Sequence, residues 1–342
     1  MLAHPHLNPS LCDRFQGIWL GSLTAASLYA NLDDLEWLKI RHRIAQSILG
    51  EGQLNDVIST ISECDLAHSE ARDKSSASTV KVNTVEDYCQ MISWFLPLLL
   101  AQSDRQDTEQ VYTEILSRVG FDSVKTEEIG QDMRTWHYLI DLTLNNRFEL
   151  EKLPLEGIIE TILTGKELIT PGLIPKLQIV SQSWKQGLGI EQIVNRLTQR
   201  EKTESDRQTS NIKALREDFA TVVALSFYCF ASTMQNFEIS VRRASQIRRN
   251  LSASTVLLTG SLSGSYNGAV GIPKSWSDTL IGSQPYQQAQ ILVLKIFQFW
   301  SGVHNLDDSN LLDRLEANAI ALPGTFQYRQ NLKIISQKSG LS

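Results

Sequence analysis

The chain has 342 residues, of which 42% are hydrophobic and 20% charged, with a formal net charge of −6. That composition belongs to a globular chain with enough apolar residues for a large core and excludes a disordered one. The acidic balance argues against a general nucleic-acid binder.

Apolar residues fall three and four apart almost throughout, which predicts helices. Over residues 15–29 they are interleaved with Gly17, Gly21, Ala25 and Ala26, the pattern of a helix with one face pared down for close packing. Residues 32–50 read as an amphipathic helix with Leu35, Leu38, Ile44 and Ile48 on its apolar side and Gly50 as its stop. Residues 54–64 repeat the pattern briefly. The serine-rich stretch 68–85 reads as a surface loop. Periodicity resumes over 85–100; the apolar run 91–101 is about half the length of a membrane span and carries Pro97, so a buried helix begun or kinked at the proline is expected.

Further helices are expected at 108–119, 136–144, 154–163 and 177–186, the last closed by Gly187 and Gly189. Pro171 and Pro175 punctuate the connection before it. The charged stretch 199–213 reads as an exposed insertion. Residues 219–230 (FATVVALSFYCF) are apolar on every face, as in a helix surrounded by others. Helices at 237–249, through the glycine-rich 248–276 and at 287–300 complete the chain. With no repeat of fixed period and no βαβ unit, the expected fold is all-α, a single multi-helix domain over 1–342 with surface loops at 68–85 and 199–213.

Cys12, Cys64, Cys89 and Cys229 are widely spaced and form no CxxC pattern, so they are expected as reduced, buried thiols. The first residues, MLAHPHLNPSLCDRF, lack the basic and apolar regions of a signal peptide. A cytoplasmic protein without a membrane span is therefore expected.

Two stretches carry a resemblance: FQGIWLGSLTAASL (15–28) and STVLLTGSLSGSYNGAVGIPKSW (254–276). They resemble the opening helix and the late glycine-rich helix of the ADP-ribosylglycohydrolase family, an all-α fold whose members remove ADP-ribose from proteins. Gly17, Leu20 and Gly21 match the first pattern; Gly260, Leu262, Gly264, Gly268, Ile272, Pro273 and Trp276 fall in register with the second. FATVVALSFYCFAST (219–233) and FQFWSGV (297–303) agree more loosely. The stretch LSGSYNGAVGIP is most similar to cyanobacterial members.

The resemblance implies two divalent metals, usually magnesium, held by acids of an early T-D-D-T-like motif and a late D-x-D-T. Magnesium requires oxygen ligands, and a metal pair can orient ribose hydroxyls and activate a water. Here the two late aspartates fall on Leu251 and Ala253, the following threonine on Ser254, and the G-D of the opening helix on Ala25 and Ala26. No T-D-D-T occurs; the nearest stretch by location is Thr84-Val85-Glu86-Asp87, with its acids out of register. The expectation is therefore a chain with no metal and no catalytic residues, with magnesium entering only if other acids rebuild the site. Thr24, Arg248, Arg249, Asn250, Ser252 and Ser254 are the candidate ligand-binding residues of the old cleft.

The remaining polar clusters have plainer readings. Asp33, Asp34 and Glu36, and the pair Asp307 and Asp308, suit helix N-termini. The six histidines, His4, His6, His42, His68, His137 and His304, show no HExxH spacing, and His137 beside Trp136 is a core candidate. Arg242, Arg243, Arg248 and Arg249 read either as a solvated helix end or as an anion site using bidentate guanidinium contacts. Three functions stay open: an inactive relative that binds an ADP-ribose-like or other anionic ligand, or a protein; an active ADP-ribosyl hydrolase with a site rebuilt from Glu86, Asp87, Asp33 or Asp34; and a structural interaction protein with a filled cleft. The first is preferred.

Overall fold

Ser10 and Asp13 start the first helix by capping each other: the Asp13 amide donates to Ser10 Oγ at 3.1 Å, and the Ser10 amide donates to Asp13 Oδ2 at 3.2 Å. The computed structural model describes residues 9–30, 36–50, 82–101, 105–118, 120–145, 153–199, 211–247 and 251–301. These residues all belong to one unit, Met1–Asn305. Every longer regular element among them is an α-helix: α1 Leu11–Ala26, α2 Glu36–Ile48, α3 Val85–Trp94, α4 Leu96–Ala101, α5 Arg105–Arg118, α6 Ser123–Asn145 and α7 Leu155–Thr164. There follow α8 Leu173–Lys185, α9 Ile190–Thr198, α10 Asn211–Ala231, α11 Phe237–Ser245, α12 Ser252–Asn267, α13 Lys274–Ser277 and α14 Gln284–Ser301. Among the described residues no helix is long and apolar enough to cross a membrane.

Helices α1 and α12 run antiparallel with their backbones in contact. A Cβ built on Gly17 would overlap the Gly264 carbonyl oxygen, and one built on Gly264 would overlap that of Gly17. One turn along, a Cβ on Gly21 would lie 2.5 Å from the Gly260 oxygen, and one on Gly260 would lie 2.5 Å from the Gly21 oxygen. Each step of four along α1 is thus matched by a step of four back along α12, so four glycines make one contact surface. Gly268 ends α12 with φ 70°, and a Cβ there would also press on Pro9 at 2.6 Å. A short 3-10 turn, Ala269–Gly271, then leads through Ile272 and Pro273 into α13.

Around this pair α3, α6, α10, α11 and α14 pack their apolar faces. Helix α10 is the surrounded helix: Phe219 to Phe230 are buried without interruption. Arg14, almost fully buried on α1, ties three helices together, with Nε donating to the Ser265 carbonyl at 2.9 Å and Nη2 to the Thr143 carbonyl at 2.6 Å. A second tie joins α3, α6 and α10 at the fully buried Asp132. Its carboxylate accepts from the Tyr88 hydroxyl at 2.7 Å and from Arg216 Nε at 2.9 Å and Nη2 at 3.3 Å. Burial lowers the Arg216 guanidinium, but its bonds to Asp132 and the opposite charge outweigh this and hold it above its ordinary value.

Several boundaries differ from those the sequence predicts. Helix α6 starts at Ser123, well before 136, because Thr126, Ile129, Gly130 and Met133 continue the buried stripe through a polar stretch. Helix α9 falls where none is expected; it buries only Ile193, Val194 and Leu197, too short a stripe to stand out. The run 85–100 breaks at Phe95 into two helices, with Pro97 in the first turn of the second, where a missing N–H costs nothing. Pro175 likewise sits in the first turn of α8. Gly50 and Gly187 take φ values of 75° and 66° just past α2 and α8, as helix-stop residues. The expected helix at 54–64 and most of the two expected loops, 68–81 and 200–210, lie outside the described residues, as do residues 302–342 of the single-domain expectation. The loop expected to 85 ends at Thr84, and the insertion expected to 213 gives way to α10 at Asn211.

The glycine contact gives a direct prediction. Gly264→Ala should cost about 3 kcal/mol or more, since neither backbone can give way without shifting a whole helix. Gly282→Ala, where a Cβ would meet nothing within 4 Å, should leave stability unchanged or up to about 1 kcal/mol higher. Urea unfolding of both variants against the parent chain measures the difference; equal midpoints would contradict the contact.

Candidate functional site

The described candidate residues, Thr24, Ser252 and Ser254, lie where the C-terminal end of α1 meets the N-terminal end of α12. Past α1, the exposed Tyr29 closes the pair: its hydroxyl donates to the Ser245 carbonyl at 3.3 Å and shares a hydrogen bond of 2.5 Å with Ser252 Oγ. Ser252 and Ala253 are partly exposed, whereas Leu251 is 5% exposed and Ser254 1%. Ser254 lies beside the Cys89 thiol of α3, which burial raises well above the usual range although Ser254 opposes the shift. Thr24 is fully buried beside Tyr286 of α14, whose phenol burial also raises. Ala25 packs against Gly260. The structure thus brings Ser252 and Ser254 to one helix end but turns them apart, one to the surface and one to the core. Arg248, Arg249 and Asn250 lie outside the described residues.

Leucine and alanine offer no lone pair to a cation, so the residues at 251 and 253 do not fit magnesium. Among the described residues no group of three or more His, Cys, Asp and Glu side chains is placed to hold a metal ion. Asp87 is already engaged: Thr84 and Asp87 cap α3 reciprocally, with the Asp87 amide donating to Thr84 Oγ1 at 3.1 Å and the Thr84 amide donating to Asp87 Oδ2 at 3.0 Å. The stretch nearest to the early acidic motif is therefore a capping box. Asp33, Asp34, Asp307 and Asp308 lie outside the described residues.

The described half of the arginine cluster diverges. Arg242 donates to Glu238 Oε1 at 2.7 Å and lies over the Trp276 ring at 5.3 Å. Arg243 donates to Ser232 Oγ and lies 6.0 Å over the Tyr228 ring. Adjacent helical positions point in different directions, so these two do not form one fork. A small cavity elsewhere, about 30 Å³, is lined by Leu99, Tyr112, Met133, Arg134, His137, Tyr138 and Leu168 and shares no residue with the α1–α12 end. His137 is half-buried there. Cys12, Cys89 and Cys229 are buried thiols outside any disulfide, as expected; Cys64 lies outside the described residues.

Charged side chains also face inward at positions that periodicity alone does not single out. Arg41 is fully buried on α2, donating from Nε to the Ser93 carbonyl at 3.0 Å and from Nη1 to Ser22 Oγ at 2.8 Å. Its Cζ lies 4.5 Å from the Trp37 ring centroid and 5.7 Å from that of Trp19. Burial pulls this guanidinium down to about 9. Asp132, Arg216 and Arg41 all sit at positions where a helix stripe is otherwise apolar: Ile129, Met133 and Trp136 flank the first, Leu215 and Phe219 the second, Trp37, Leu38 and Ile44 the third. A charge inside an apolar stripe is the signal that could have found them.

No protein-family model matches this chain, and no curated protein matches it in sequence.

His42 makes the stability of this region depend on pH. Burial, then the charge of Arg41, lower its imidazole to about 4, with a hydrogen bond to Gln288 opposing both. The unfolded chain therefore takes up the proton first as pH falls below about 6.5. Stability is fully present above that pH and declines toward pH 4, by about 3 kcal/mol in total. Subtracting urea-unfolding curves of His42→Gln from those of the parent chain between pH 7.5 and 4.5 should isolate this slope; parallel pH profiles would contradict it.

Proposed function

We propose that the chain is a non-catalytic binding protein of ADP-ribosylglycohydrolase-like architecture. One observation carries the reading: where the resembled family places metal-binding acids, this chain has Leu251, Ala253, Ala25 and Ala26. Two-metal chemistry needs negative oxygen donors at those points, and a hydrocarbon side chain supplies neither charge nor lone pair. The pared helix pair and the I-P-x-x-W ending are the parts of the resemblance that serve packing rather than chemistry. Their retention beside aliphatic replacements supports a fold kept for binding, with an ADP-ribose-like or other anionic ligand, or a protein, as the partner.

The burial of Thr24, Leu251 and Ser254 favours a second reading, a filled cleft whose binding partner is a protein. The two readings differ in one result. Under the first, ADP-ribose raises the melting temperature without metal, because a ligand that binds only the folded state stabilises it, and Arg248→Ala with Arg249→Ala removes the shift. Under the second, ADP-ribose has no effect.

Both readings predict that magnesium titrated calorimetrically into metal-stripped protein gives no site-specific heat, and that ADP-ribosylated arginine and serine substrates release no ADP-ribose. Stoichiometric magnesium binding together with ADP-ribose release would replace them with an active hydrolase.

A further inference from the structure

We draw no further inference here: the strongest candidate, the N-terminus of α12 at residues 252–254, which has no side-chain cap and no acidic residue in its first turn, belongs to the site already described, and its buried Ser254 hydroxyl lies beside the Cys89 thiol, so nothing there points to a ligand.

Discussion

The fold depends on two helices touching through their backbones. Gly17 and Gly21 of α1 face Gly264 and Gly260 of α12 so closely that no Cβ can be accommodated at any of the four. Such an approach places side chains on either side of the contact rather than in it, which sends Ile18, Trp19 and Leu23 of one helix and Val256, Leu258 and Leu262 of the other into the surrounding layers. Helices α3, α6, α10, α11 and α14 pack on the walls of this paired core, and further helices pack on them in turn, α5 on α6 and α8 on α10. The glycines lose backbone entropy on folding, so the contact persists because dispersion and the burial of flanking apolar groups outweigh that loss.

Buried charges consolidate the frame. Arg14 bridges α1, α6 and α12 through backbone carbonyls, and the Asp132–Arg216 pair with Tyr88 joins α3, α6 and α10. Such groups contribute little as net stability but specify register, because a one-turn slip would strand a charge in the interior. Arg41 differs from both in keeping an open donor, and its charge reaches His42 next to it.

The all-α architecture, the surrounded helix at 219–230 and the close-packed glycine face of α1 were legible because each rests on a local pattern: period, uniform apolarity and recurring small residues. The early start of α6 was not, since a helix whose outer face is polar over 123–135 shows only a thin stripe of Ile129, Gly130 and Met133 inward. At the candidate site, the sequence alone identified the aliphatic side chains at 251 and 253. It did not reveal that Ser254 turns into the core against Cys89 while Ser252 turns out to Tyr29, because residues two apart on a helix separate only once the neighbouring helices are placed. Nor did Thr84 and Asp87 announce themselves as a cap, although their spacing is that of a capping box.

Helices α1 and α12 act as a single cooperative element, and native-state hydrogen exchange tests this most directly. If the glycine contact organises the fold, the amides of residues 18–24 and 257–264 exchange only through the same opening, with the free energy and denaturant dependence of global unfolding. Exchange of the α1 amides through a lower-energy opening, with α12 still protected, would contradict it.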